Sequence, residues 1–262
     1  MMKKFKHILI PVFIVASGIA ALAASPRLRS ILLPGNGPVR PPAAEMPVYD
    51  AKADSLFTGL ADLCNNISLL NNYLMEGELR VIDQADTAQS VYTRFRYARR
   101  DSMQYYQLGD QEMLTLPGLY MNVDHSVKKI MLSPHMPEEQ AGRPLIDRAQ
   151  VDALKKEGYV ISKETGTPYT TISLVSNRHI SCREYRIAYD SAGLIRSTFM
   201  RTTDLDNPLD RSLDKLISMN VVQWQIAGAP AHLFRAERFI ERKADNWAPV
   251  STYQGYEIKY IY

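Results

Sequence analysis

The sequence predicts an α+β protein that is mainly β: a large curved antiparallel sheet, or unclosed half-barrel, covered by about three helices. Apolar and polar residues alternate through residues 73–132, which is the pattern of strands with one buried face. Gly, Asp and Asn separate these short runs at the density of tight turns. The 15 tyrosines, together with many Val, Ile and Thr residues, also favour sheet.

Residues 1–23 have the layout of a secretory signal peptide. Three lysines lie among the first six residues, an uncharged apolar run follows, and Ala21-Leu22-Ala23 offers a small-x-small cleavage site. The alternative is an uncleaved membrane anchor over residues 8–24, which is short for a span and is interrupted by Pro11 and Gly18. Both interpretations predict a periplasmic protein, either soluble or anchored in the inner membrane.

Residues 24–48 form a linker rich in proline and glycine. Five prolines and two glycines between residues 34 and 48 exclude a helix or a sheet interior there. One folded domain is therefore expected over residues 49–262. An extended spacer between leader and domain is useful mainly when the leader stays in the membrane, so it favours the anchor.

The charge of the exported part excludes one class of function. Without residues 1–23, which hold three lysines and no acid, the chain has 28 basic and 28 acidic residues. Nucleic-acid binding requires a basic surface, and a balanced chain gives no indication of one. No nucleic-acid partner is expected.

The elements follow from the period of the apolar residues. A first helix is expected after the linker, where leucines at positions 56, 60 and 63 precede Cys64 and Ile67 at helical spacing. A second is expected over Asp147–Glu157 and a third over His232–Lys243. The remaining periodic segments predict strands, which lie at 73–81, 91–97, 103–108, 112–116, 119–123, 127–132, 159–163, 169–175, 180–189, 194–202, 221–226 and 256–262.

The two cysteines, Cys64 and Cys182, have two interpretations. In an oxidising compartment the pair is a disulfide candidate that would close a long loop. Alternatively, both are buried free thiols that act as small apolar residues. Neither has a Cys-x-x-Cys neighbour that would lower its pKa for catalysis.

No motif predicts an enzyme, a metal site or a cofactor. The five histidines have no partner at i+3 or i+4 that would indicate a zinc site. Ser126-Val127-Lys128-Lys129 has the spacing of a penicillin-binding nucleophile but lies in an expected hairpin rather than at a helix start. One loop contains four aspartates, Asp204, Asp206, Asp210 and Asp214. The loop lacks the glycine and the closing glutamate of a calcium-binding loop, so a solvated acidic turn is favoured.

Two hairpin segments carry a resemblance to a known family. They are residues 118–132, with an Asp124-His125-Ser126 turn, and residues 189–195, with an Asp190-Ser191-Ala192-Gly193 turn. With the leader, the covering helix and the long meander, the chain resembles the periplasmic lipoprotein carriers and their outer-membrane receptors. The resemblance implies an open curved sheet whose concave apolar face holds acyl chains.

Six apolar residues are the candidate lining of such a groove: Met75, Leu79, Phe95, Tyr97, Met103 and Tyr105. Flexible Met and aromatic side chains suit acyl chains, which need apolar area more than directed hydrogen bonds. The alternative is that all six belong to a closed core under the helices.

The sequence thus predicts a non-enzymatic envelope protein that binds an acyl chain or a lipidated protein. The alternative is a structural or adaptor subunit of an envelope complex, which would be tethered to the membrane by residues 8–24. Such a subunit would use its sheet edges and its C-terminal helix for protein contacts.

Overall fold

The computed structural model describes residues 47–134, 148–177, 179, 181–204, 207–243 and 246–261. The expected signal peptide, the alternative anchor and nearly all of the linker lie outside these residues. Within the described part of the chain, no helix is long and apolar enough to cross a membrane.

The regular structure of the described residues is mainly β, as expected. Helix α1 spans Ala51–Ser68 and helix α2 spans Arg148–Lys156. The strands are β1 (Asn72–Asp83), β2 (Val91–Arg100), β3 (Met103–Leu108), β4 (Gln111–Leu116), β5 (Leu119–Asp124), β6 (Lys129–Ser133), β7 (Val160–Thr165), β8 (Thr170–Val175), β9 (Cys182–Tyr189), β10 (Ile195–Thr202), β11 (Lys215–Ile226), β12 (Ile240–Lys243), β13 (Asn246–Pro249) and β14 (Glu257–Tyr260).

Twelve strands form one sheet in the order β14-β6-β5-β4-β3-β2-β1-β11-β10-β9-β8-β7. Strands β12 and β13 form a separate two-stranded sheet. The expected antiparallel meander is present from β2 to β6, where each strand pairs with the next. Strand β14 pairs with β6 in parallel, so the sheet is mixed rather than wholly antiparallel.

The expectation of about three covering helices is wrong, since the described residues contain two. Where a helix was expected over His232–Lys243, 3-10 turns at Ala231–Phe234 and Ala236–Arg238 lead into β12. A regular helix of 3.6 residues per turn would spread the buried side chains of this segment over more than half of its circumference. The two 3-10 turns and β12 instead allow every apolar side chain of this set to be buried: Leu233, Phe234, Ala236, Phe239 and Ile240.

The chain folds into two compact units. The first combines the described residues of 47–69, 80–91 and 148–219, and the second combines those of 70–79, 92–134 and 220–261. The folded region expected over residues 49–262 therefore contains two units, each built from more than one segment of the chain.

In the first unit, helix α1 covers one face of strands β7–β10. Asp50 begins the helix by accepting a hydrogen bond from the Ala53 N–H at 2.8 Å, as an N-cap does. The strand register places Leu174 beside Ile161 and Tyr185 on one face. The helix contributes a complementary apolar stripe to this core: Phe57, Leu60, Leu63, Cys64 and Ile67.

In the second unit, one face of the meander is filled by the chain itself. The register aligns one row of side chains across five strands: Ala98, Tyr105, Leu114, Met121 and Leu132. Their exposures are only 0–2%. Residues 229–258, which we call the C-terminal cover, pack against this row, so we call this face the covered face.

The opposite face of the same meander carries a different row. Because side chains alternate along a strand, the residues next to the covered row project to the other side. The register aligns them across the same five strands: Tyr97, Tyr106, Met113, Asn122 and Met131. We call this surface the Tyr/Met face.

Candidate functional site

The Tyr/Met face extends into β1 and β11 through ring contacts. The Tyr73 ring lies 5.7 Å from the Tyr97 ring and 5.3 Å from the Trp224 ring, measured between centroids. Gly77 faces the same side, since a Cβ built on it would lie 2.7 Å from the Phe95 ring. The face is therefore aromatic across β11, β1, β2 and β3, and its row continues through Met113, Asn122 and Met131 on β4 to β6.

The structure divides the six residues expected to line a groove between the two faces of the sheet. Met75 and Leu79 are each two residues from Gly77 along β1, and side chains two residues apart in a strand project to the same side. They therefore lie on the Tyr/Met face with Phe95 and Tyr97. Tyr105 belongs to the covered core, and Met103 packs against that core. Four of the six thus share one surface and two lie on the other side.

The two faces differ in how fully their side chains are buried. The covered row is closed, whereas Met75, Tyr97, Tyr106 and Met131 on the Tyr/Met face keep intermediate exposure. Phe95 and Met113 are buried at 5% and 8% exposure. The Tyr/Met face is therefore a partly open apolar surface with buried positions along it.

The tyrosines of this face are neutral. Burial raises the pKa of Tyr73, Tyr97, Tyr106 and Tyr120 above the usual value for a phenol. A phenol with a raised pKa remains protonated at physiological pH and does not act as a base. The face is suited to holding an uncharged apolar group rather than to acid–base chemistry.

Two polar atoms on this face are buried without a hydrogen-bond partner among the described residues. They are the hydroxyl oxygen of Tyr106 and the side-chain oxygen of Asn122, which flank Met113 in the register. The nearby Tyr120 hydroxyl lies 3.3 Å from the Met113 sulfur. Native structures leave few buried polar atoms unpaired, so both oxygens are candidate contacts for a bound group.

A buried ionic network fastens the C-terminal cover to the covered face. The Glu112 carboxylate, 7% exposed, accepts hydrogen bonds from the Tyr105 hydroxyl at 2.6 Å and from Arg238 at 3.1 Å. Its other oxygen lies 2.9 Å from Nε2 of His125. The second ring nitrogen of His125 lies 2.9 Å from the Tyr256 hydroxyl. Arg238 and Tyr256 belong to the cover, so the network joins it to the meander at two points.

A cleft of about 430 Å³ lies along β1, β2 and β11 of the second unit, and Gly77 and Phe95 of the Tyr/Met face contribute to its lining. Acidic and basic side chains of β1 and β2 line it together, and one of the acids, Glu76, pairs with Arg96. Opposite charges in close pairs make this cleft a poor match for an acyl chain. The apolar candidate surface is therefore the Tyr/Met face.

The motifs that suggested chemistry in the sequence have structural roles. Ser126 donates its hydroxyl to Asp124 at 2.6 Å within a turn, which makes it a hairpin residue rather than a nucleophile. Asp204 and Asp210 accept backbone hydrogen bonds in their own turns. Asp214, expected in a solvated turn, is fully buried instead. Asp206 and two of the histidines, His7 and His135, lie outside the described residues.

No metal site can be built from the part of the chain that the structure describes. It holds no group of three or more His, Cys, Asp or Glu side chains that could bind an ion.

The two cysteines are buried as free thiols in the structure, and the disulfide stays a prediction for the exported protein. Burial raises the pKa of each thiol to about 12. At pH 8 about one thiol in ten thousand would then be ionised.

We therefore expect both thiols to react with a disulfide reagent at least a hundredfold more slowly in the native protein than after unfolding. Reaction with Ellman's reagent, with and without guanidinium chloride, measures the two rates. Fast labelling of the native protein would contradict the buried-thiol geometry. Protein purified from an oxidising compartment that shows no thiol after unfolding would establish the disulfide.

Comparison with known proteins gives a likeness of fold alone. No family model matches the chain, and no curated protein matches it. An uncharacterized conserved protein from Thermus thermophilus has a TM-score of 0.41 at 9% identity, over 78% of this chain and 98% of that chain. A LolA superfamily protein from Nitrosomonas europaea has a TM-score of 0.31 at 10% identity, over 71% of this chain and 98% of that one. A DUF1329 family protein from Desulfovibrio piger has a TM-score of 0.33 at 7% identity, over the same shares.

The lipoprotein-carrier resemblance expected from the sequence is thus confirmed only as a weak likeness of fold. TM-scores below 0.5 carry no argument about what this chain binds. The functional argument rests on the side chains of the Tyr/Met face.

Proposed function

We propose that this is an exported, non-enzymatic envelope protein that binds an acyl chain or a lipidated partner on the Tyr/Met face of its second unit. The observation that supports this most is the contrast between the two faces of one meander. The covered face has its own C-terminal cover and is closed, whereas large apolar side chains on the Tyr/Met face remain partly exposed. Partly exposed apolar area on one side of a sheet is characteristic of binding surfaces.

The chemistry of the face fits an acyl chain better than a flat aromatic ligand. Methionines at positions 75, 113 and 131 are unbranched and adapt to a flexible chain. The unpaired oxygens of Tyr106 and Asn122 provide one hydroxyl donor and one carbonyl acceptor. An acyl group that ends in an N–H-bearing amide or a hydroxyl would satisfy both, because such a group accepts from the Tyr106 hydroxyl and donates to the Asn122 oxygen. The signal-peptide layout of residues 1–23 supports a periplasmic location, where lipidated proteins and free lipids are both encountered.

Displacement of a fluorescent fatty acid tests this proposal. Hydrophobic transfer contributes about 0.8 kcal/mol per buried methylene, so affinity should rise roughly fourfold for each methylene added to a saturated chain. Met75→Glu should weaken binding at least tenfold, because it places a charge on the face. Val127→Glu is the matched control, since Val127 is 47% exposed in the turn between β5 and β6 of the same unit, away from the Tyr/Met face. Affinity that is independent of chain length, or equally weakened by both variants, would remove the proposal.

A second candidate is an adaptor that pairs its edge strand with a partner. Strand β7 ends the sheet, and its Val160 side chain is 55% exposed. An exposed edge can add a strand from another protein. Lys163→Pro would block such pairing, because proline lacks the N–H that a ladder needs and the register turns the N–H of Lys163 away from β8. Loss of a defined membrane partner in this variant, with no acyl binding in the wild type, would favour the adaptor.

A further inference from the structure

A second candidate site lies in the first unit, in a cleft of about 230 Å³ that we call the arginine cleft. It lies on the face of β8–β10 that carries Val175, Glu184 and Arg201 side by side, opposite the face that α1 covers. Arginines are half of the residues that line it, which are Val175, Asn177, Arg183, Glu184, Arg201 and Arg211. The acyl-binding proposal does not use this cleft.

One arginine of the cleft is held rigidly. The Arg183 side chain is 7% exposed, and its Nε donates to the Thr203 hydroxyl at 3.2 Å. Its Nη2 donates to the Pro208 carbonyl, and Asp214 lies 3.5 Å from its Nε. Arg183 therefore supplies a fixed positive charge whose donors are largely used within the protein.

The other two arginines have donors to spare. With the described residues, Arg201 makes only long ion pairs, 3.7 Å to Glu184 and 3.9 Å to Asp214, and neither has hydrogen-bond length. No described residue forms an ion pair or hydrogen bond with the Arg211 guanidinium, which is exposed. Each guanidinium carries five N–H donors, so this cleft offers many donors and few acceptors.

The charge balance gives the chemical class of the ligand. Arg186 binds Glu184 at 3.0 Å, which engages the one carboxylate that lines the cleft. The residues that line the cleft include three arginines and one glutamate, and counting the neighbouring Arg186 and the fully buried Asp214 leaves the same excess of two positive charges. The excess of two positive charges matches a dianion. Guanidinium forks bind phosphate oxygens in a bidentate geometry.

We propose that the arginine cleft binds a phosphate-type oxyanion, with Arg201 and Arg211 as the donors and Arg183 as the fixed charge. The phosphate can be free in solution or part of a phospholipid headgroup, because both present the same oxygens. The binding is electrostatic, so it weakens as salt concentration rises.

Calorimetric titration of the full chain with inorganic phosphate at low salt tests this proposal. Flotation with phosphatidylglycerol vesicles, compared with phosphatidylcholine vesicles, tests the headgroup source. Arg211→Gln is the primary variant, because Arg211 is exposed and supports no buried group. Arg80→Gln is the matched control, since Arg80 is an exposed arginine of the same unit.

Saturable binding of phosphate or of the anionic vesicles that weakens at least tenfold in Arg211→Gln and is unchanged in Arg80→Gln supports the site. Binding of the vesicles alone assigns the ligand to the headgroup. Binding of neither probe, or equal weakening in both variants, overturns the proposal. Fatty acids should displace the fluorescent fatty acid from Arg211→Gln and Arg80→Gln as they do from the wild type. A failure of the phosphate proposal is therefore distinguishable from a failure of the acyl-binding proposal.

Discussion

Replacing Gly77 by alanine is expected to destabilise the second unit by about 3 kcal/mol, near the upper end of overpacking costs. A Cβ at this position would overlap the carbonyl oxygen of Asn220, which is backbone on β11, and would lie 2.7 Å from the Phe95 ring. Neither neighbour is the far end of a flexible side chain, so relief requires movement of a strand or of a buried ring. Urea unfolding followed by tryptophan fluorescence measures the effect, since Trp224 and Trp247 both belong to the second unit.

Gly59→Ala is the control with the opposite sign. Gly59 is exposed in the interior of α1, and nothing lies within 4 Å of a Cβ built there. Alanine in a helix is favoured over glycine by about 0.5–1 kcal/mol, so this variant should be more stable when unfolding is followed by far-ultraviolet circular dichroism. A loss of less than about 1 kcal/mol for Gly77→Ala would contradict the tight contact between β1 and β11.

Glu112→Ala is expected to cost about 3 kcal/mol and to loosen the C-terminal cover. The substitution leaves the buried Tyr105 hydroxyl without its 2.6 Å partner and removes the carboxylate that Arg238 and His125 share. Losing one member of a buried charged network costs more than the network contributes as a whole, because the remaining groups stay desolvated. Urea unfolding measures the loss, and limited proteolysis between residues 229 and 258 measures the loosening.

Glu257→Gln is the matched control for this network. The Glu257 side chain is 58% exposed, and its pairs with Lys129 and Lys259 are 4.0 and 3.6 Å long. Exposed pairs of this kind contribute well under about 1 kcal/mol. If Glu112→Ala and Glu257→Gln had the same small effect, the network would not be what holds the cover in place.

The sequence predicted the strands of the meander well, because alternation and turn residues are local signals. It did not predict which side chains share a face across a hairpin. Tyr97 and Tyr105 both lie in alternating runs, yet the turn at Asp101 (φ 55°) sets a register that pairs Tyr97 with Tyr106 and Ala98 with Tyr105. A shift of one residue at a turn moves every later side chain to the other face. The expected groove was therefore divided between two surfaces.

Other misses come from tertiary packing that no local pattern records. The segment expected as a third helix has apolar residues at helical spacing, but the covered face buries more of them than one helix face can hold. Asp214 lies in an acidic stretch that is typical of a solvated turn, and its burial depends on Arg183 from β9 and Arg201 from β10. The Tyr/Met face, too, becomes visible only when the register brings Tyr106, Met113 and Asn122 together.

The two tryptophans allow the most direct test of the acyl-binding proposal. Trp224 contacts Tyr73 on the Tyr/Met face, whereas Trp247 lies in β13, within the C-terminal cover. Brominated fatty acids quench indole fluorescence only at short range. Trp247→Phe leaves Trp224 as the sole reporter, and Trp224→Phe leaves Trp247. The proposal predicts saturable quenching of Trp224 by a brominated fatty acid and none of Trp247. No quenching of Trp224, or equal quenching of both, would contradict it.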